Sequence, residues 1–174
     1  MFKKGLLGMQ IAVILLAGCT ATYNVNRGND EGVQLAATKG VYIIIPDDGR
    51  YDGKPYANSG QMTASALEVE FSKYAAHVVM SDKCALEACL VTLKDSKYGY
   101  LVEPNILHWE DRATEWSGKP DKISVKISVY ELSSGDRLSQ VIVDGKSKWA
   151  TFGGDHPQDL LREPISNYVT SLYR

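Results

Sequence analysis

Hydrophobic positions along this chain fall into blocks of two different periods, and most blocks end on a turn-forming cluster. Val41-Tyr42-Ile43-Ile44-Ile45 is a dense β-branched run closed by Pro46 and Asp47-Asp48-Gly49, the pattern of a strand buried on both faces. From Asp47 to Gly60 the chain carries Gly49, Gly53, Pro55, Asn58 and Ser59, which predicts a loop whose glycines serve turns. Ala64, Leu67, Phe71 and Tyr74 then recur on one helical face, and His77-Val78-Val79-Met80 reads as a short strand. Leu86, Cys89, Leu90 and Leu93 mark a second helix. Tyr98 to Val102 follows as a strand, stopped near Pro104.

The second half changes period. Ile123, Val125, Ile127 and Val129 alternate with Ser124, Lys126, Ser128 and Tyr130, so one face of this strand meets solvent. Ser133-Ser134-Gly135-Asp136 is a turn, and Leu138 to Val143 should return from it as a hairpin partner. Lys146 to Phe152, carrying Trp149, predicts a third antiparallel strand. The last element is a helix starting near Pro164 and ending at Tyr173, with Ile165, Tyr168, Val169 and Leu172 on its apolar face. The order β-α-β-α-β, then antiparallel strands and a helix, predicts a single α/β sandwich domain with a mixed, largely antiparallel sheet and about three helices.

The N-terminus has a separate logic. Met1-Phe2-Lys3-Lys4 is basic, and Gly5 to Leu16 is an apolar run of signal-peptide length, shorter than the roughly 20 residues that cross a bilayer. It ends in Leu16-Ala17-Gly18-Cys19, which resembles the lipobox of bacterial lipoproteins. The resemblance implies cleavage before Cys19, a diacylglycerol on its thiol and acylation of its new amino group. Several acyl chains anchor stably, since each buried CH₂ contributes about 0.8 kcal/mol. Thr20 stands where an aspartate would resemble an inner-membrane retention signal, which implies the outer membrane, with the domain facing the periplasm. The expected division is residues 1–18 as signal peptide, 19–39 as lipidated cysteine and flexible tether, and 40–174 as a single α/β periplasmic domain.

Charge and cysteine content add to this picture. The formal net charge is −2, and the signal carries Lys3 and Lys4 but no acid, so cleavage takes it to −4. No basic patch points to nucleic acid. In an oxidising periplasm Cys84 and Cys89 are free to pair. On one continuous helix they would lie about 7.5 Å apart along the axis and on nearly opposite sides, too badly placed to bridge. Pairing therefore requires Cys84 to precede the first helical turn; otherwise Cys89 is a small buried thiol.

The densest polar and aromatic segment is His108 to Trp116, which holds His108, Trp109, Glu110, Asp111, Arg112, Glu115 and Trp116. One reading is a structured loop in which carboxylates clasp Arg112 and the indoles cover the core edge. The others are a binding surface anchored on Trp and Arg, or acid–base catalysis by paired carboxylates, although Glu110 and Asp111 would diverge on a strand. Asp155 and His156, with Asp159, read either as metal ligands or, before Pro157, as a capped turn. No nucleophile elbow, phosphate-binding loop or dinucleotide fingerprint occurs, and no cofactor is expected.

The element order resembles the periplasmic domains of the curli-secretion lipoprotein and of lipoprotein activators of penicillin-binding proteins. At the sequence level, Tyr100-Leu101-Val102-Glu103-Pro104, the run from His108 to Gly118, Lys146-Ser147-Lys148-Trp149 and Gly153-Gly154-Asp155-His156-Pro157 are similar to a family of Gram-negative lipoproteins catalogued as a domain of unknown function. That family brings no reaction or catalytic residue with it. The expected function is a non-enzymatic, lipid-anchored module binding an envelope protein or polysaccharide. The alternative is an envelope glycan or lipid hydrolase using the carboxylates of residues 108–116.

Overall fold

The computed structural model describes residues 21–28, 32–81, 84–112, 119–147 and 156–174. The first element is β1 (Thr22–Arg27), in the segment expected to be a flexible tether. Thr22, Asn24 and Asn26 point outward and are exposed, while Tyr23 and Val25 pack on the core. With only two inward apolar residues, the segment shows too little periodicity to be read as a strand. Leu35, also in the expected tether, is buried in the core.

Next come β2 (Gly40–Ile44), the two-residue strands β3 (Arg50–Tyr51) and β4 (Lys54–Pro55), and α1 (Ser59–Phe71). β2 is buried on both faces because it lies inside the sheet, parallel to both of its neighbours. The expected loop therefore contains a small hairpin. Asp52 and Gly53 take φ of 51° and 74°, as a two-residue type I′ connection requires. Gly49 serves a close approach instead of a turn: a Cβ there would meet Trp109 Cβ at 2.5 Å and Ile106 Cγ2 at 2.7 Å. Gly60 likewise sits against the Pro46 carbonyl. The Asp48 carboxylate closes the start of α1, accepting from the backbone N–H of Asn58 (3.2 Å) and Gly60 (2.9 Å).

β5 (Val78–Ser81), α2 (Leu86–Leu93) and β6 (Tyr98–Glu110) follow. β6 does not stop near Pro104. It continues for thirteen residues because Pro104 lies past the end of its pairing with β2, where a ladder runs on one side only and the missing N–H is tolerated. β7 (Lys122–Glu131) and β8 (Arg137–Lys146) form the expected hairpin. Lys146 ends β8, and residues 148–152 of the expected third strand, Trp149 among them, lie outside the described residues. A 3₁₀ turn over Pro157–Leu160 leads into α3 (Arg162–Leu172), whose Ile165, Tyr168, Val169 and Leu172 are all buried.

The six strands form one mixed sheet in the order β1-β8-β7-β6-β2-β5, antiparallel from β1 to β6 and parallel from β6 to β5. α1 and α3 cover one face, burying Val41, Ile43, Leu67, Phe71, Val102, Ile127 and Val143 completely. On the other face α2 lays Cys89 against Ile44, Leu101 and Leu132. Cys84 precedes α2 and is disulfide-bonded to Cys89, with the Cα atoms 5.9 Å apart. The chain is thus a single α/β domain, and no described helix is long and apolar enough to cross a membrane.

Candidate functional site

The site is built at the far end of β6, where a bulge changes which side chains face the core. Tyr100, Val102 and Ile106 point into the core from even positions. Between Ile106 and His108 the register with β7 slips by one residue, so Ile106 opposes Val125 and His108 opposes Ser124. Beyond the slip, Trp109 enters the core at 3% exposure, while His108 and Glu110 turn to the opposite face. His108, Trp109 and Glu110 therefore belong to a strand, where a structured loop was expected.

Glu110 is 1% exposed. One carboxylate oxygen meets Arg112 Nη2, and the other lies 3.2 Å from His108 Nε2 and 3.9 Å from Lys122 Nζ. Burial alone would raise the carboxyl pKa, but hydrogen bonds from His108 and Arg112, with the charges of Arg112 and Lys122, outweigh it and hold the group below its ordinary range. The Arg112 guanidinium donates to Tyr51 Oη at 3.2 Å and lies over that ring, 5.7 Å from its centroid. Tyr51 also meets the His108 ring edge-on at 5.1 Å. The β3–β4 hairpin thereby closes over the ion pair from outside the sheet.

The backbone after β6 is pinned separately. Arg112 N–H donates to Asp121 Oδ1 at 2.6 Å, and Asp121 N–H to Ser147 Oγ at 2.8 Å. Burial pushes the Asp121 carboxyl up, against the pull of the Arg112 N–H, and the charge of Asp111 adds to the rise. Asp111 is held by its carbonyl, which accepts from Tyr56 Oη at 3.4 Å. Asp111 Oδ1 and Arg112 Nε are buried without a hydrogen-bond partner among the described residues.

The structure thus brings His108, Glu110 and Arg112 together, sends Trp109 to the core and leaves Asp111 at the rim. Sequence reading missed Tyr51, Lys122, Asp121 and Ser147. Lys122 opposes Glu110 across the sheet and could have been found from strand register, whereas Tyr51 carries no local signal. His156 precedes the 3₁₀ turn, with its N–H on Asp159 Oδ2 at 3.0 Å, which is the capped-turn reading. Cys19, Glu115, Trp116 and Asp155 lie outside the described residues. Among those described, no group of three or more His, Cys, Asp or Glu side chains could hold a metal ion.

Beside the buried pair, the outward face of the sheet forms an open groove of about 520 Å³, bordered by Thr22, Asn24, His108, Lys122, Ser124, Asp144 and Lys146. Register arranges these side chains in two rungs. His108, Ser124, Asp144 and Asn24 align across β6, β7, β8 and β1, and Glu110, Lys122, Lys146 and Thr22 form the next row.

Among solved structures, the PelC dodecamer from Paraburkholderia phytofirmans has a TM-score of 0.68 to this chain at 12% identity, covering 88% of this chain and 100% of that one. A substituted PelC dodecamer from the same organism gives 0.65 at 11% identity, over 88% and 98%. Lipoprotein GNA1162 from Neisseria meningitidis gives 0.49 at 10% identity, over 76% and 98%. At such identity the PelC likeness shows the fold alone. No curated protein sequence matches the chain. The family described as domain of unknown function DUF4823 matches residues 33–172, and the chain belongs to that family.

Proposed function

We propose that this chain is a lipoprotein held in the outer membrane by acyl chains on Cys19, facing the periplasm, where it acts as a non-enzymatic module that binds or assembles with another envelope component, a protein or a polysaccharide. The observation that carries the reading is the engagement of Glu110. This acidic residue of the candidate segment is buried, ion-paired to Arg112 and held below its ordinary pKa. A carboxyl kept ionised is a poor general acid near neutral pH, and its burial keeps it from a substrate. This argues against the hydrolase alternative built on His108, Glu110 and Asp111. What remains at the surface is a shallow polar groove on a rigid sheet, a form suited to binding. PelC of Paraburkholderia phytofirmans, whose fold this chain shares, is a dodecamer. Self-assembly is accordingly the first association to test.

The test combines two measurements on the acylated protein. Light scattering in mild detergent gives the assembly mass, and a photo-crosslinking residue in place of Ser124 captures neighbours in intact cells. A discrete oligomer or a specific envelope crosslink supports the proposal. A monomer without crosslinks, or glycan hydrolysis that Glu110→Gln abolishes, overturns it.

A further inference from the structure

The expected anchor and the sheet meet at one end of the molecule. β1 begins at Thr22, three residues after Cys19. Three residues of fully extended chain span about 11 Å at most, so little room is left for a tether. The first rung of the sheet is thereby tied close to whatever holds Cys19.

That rung carries an unusual pairing. Thr22 opposes Lys146 of β8, and Lys146 opposes Lys122 of β7, which puts two lysines side by side on the face away from α1 and α3. Like charges directly opposite one another destabilise a sheet, so the pair calls for a counter-charge. Among the described residues Lys122 has only Glu110 at 3.9 Å, a carboxylate already engaged by Arg112. Lys146 has no ion-pair partner among the described residues.

Depth sorts the charges here by sign. On these strand ends and the turn before β7, Lys119, Lys122 and Lys146 are exposed, whereas Glu110 is buried and Asp111, Asp121 and Asp144 are partly buried. The chain as a whole carries a net charge of −2, yet the described strand ends nearest the anchor carry their exposed charge as lysine, the exposed Asp159 lying apart on the 3₁₀ turn.

We infer that this end of the sheet rests on the membrane, with Lys122 and Lys146 against the phosphate headgroups of anionic lipid. The inference depends on the anchoring of Cys19 proposed above. An anchor within about 11 Å holds the lysines near the range of the roughly 8 Å Debye length at physiological salt, where surface charge is still felt. Thr22, on the same rung, brings a hydroxyl able to donate to a phosphate oxygen. The opposite end of the molecule then faces away. Lys97 precedes the thirteen-residue β6, and a strand of that length spans about 40 Å.

The acylated protein, reconstituted into phosphatidylcholine vesicles with or without phosphatidylglycerol, tests this through lysine reactivity towards an amine acylating reagent, read by mass spectrometry. With phosphatidylglycerol, Lys122 and Lys146 should label about fivefold more slowly than in detergent, the factor given by about 1 kcal/mol per lysine at an anionic surface. Lys97 should be unaffected. Equal labelling of Lys122 and Lys146 in vesicles and detergent, or protection indifferent to phosphatidylglycerol, overturns the inference. The mass of the N-terminal peptide reads the anchor independently. An unacylated Cys19 rejects the anchoring, whereas an acylated Cys19 with unprotected lysines rejects only the orientation.

Discussion

Removing the Arg112 guanidinium should unfold the protein many degrees earlier, because it strands a charge inside the sheet. Side-chain exposure is 26% for Arg112 and 2% for Glu110, so the arginine can be replaced by water far more easily than the carboxylate can reach it. Breaking a buried ion pair by deleting one partner costs about 3–5 kcal/mol. Here Lys122 at 3.9 Å and His108 at 3.2 Å remain as partial substitutes, which places Arg112→Ala at the lower end, about 3 kcal/mol. For a domain of this size that corresponds to a fall of about 10 °C in Tm. Thermal unfolding of the mature chain followed by circular dichroism measures it. The cause is isolated by a second change, since Glu110→Gln added to Arg112→Ala removes the stranded charge and should recover part of the loss. An unshifted midpoint in Arg112→Ala, or a double variant no more stable than the single one, would refute the argument and make Arg112 a candidate for ligand contact.

Cys19→Ser should abolish incorporation of a clickable fatty acid in growing cells, and a variant that still takes up label rejects the lipid assignment. In rapidly quenched, non-reduced cells Cys84 and Cys89 should resist alkylation, and reduction should cost about 2 kcal/mol for so short a loop; free thiols on both would contradict the bond. Glu110 titrates below its ordinary range in the folded state, so its stabilising effect is present above the unfolded value of about 4.3 and is lost as pH falls through the lower folded value. Urea midpoints should therefore drop more steeply below about pH 4 in the parent than in Glu110→Gln, and equal slopes would count against an ionised buried Glu110.

The sequence was most informative where one element buries one face by its own pattern. β2 is a continuous apolar run because it is covered on both sides, and β7 alternates because only one side is covered. α1 and α3 show their apolar stripes for the same reason. β1 escaped notice since an edge strand with two inward residues has almost no period to read. The β3–β4 hairpin did carry its Asp52-Gly53 signal, but its strands are two residues long and mostly exposed, too short for any alternation to support it. For the site, the clasping of Arg112 by a carboxylate was legible from charge density alone. Which carboxylate was not, because the bulge between Ile106 and His108 decides whether position 109 or 110 turns inward, and that slip exists only relative to β7. Tyr51 and Lys122 reach Glu110 and Arg112 from distant parts of the chain, and only the assembled sheet makes them neighbours.

The bulge also bears on how this strand can change over time. Leu107 is the extra residue, half-exposed at 51% and without a partner on β7. Deleting it would place His108 directly after Ile106 and keep every later side chain on its present side, Trp109 inward opposite Ile123 and Glu110 outward opposite Lys122. Substitution at this position should therefore be nearly free, and loss of the position should cost the local twist of the bulge and not the facing of the residues that follow. Descendants of this sequence can thus vary the letter at 107 and can also drop it, a freedom of length that side-chain chemistry alone would never reveal.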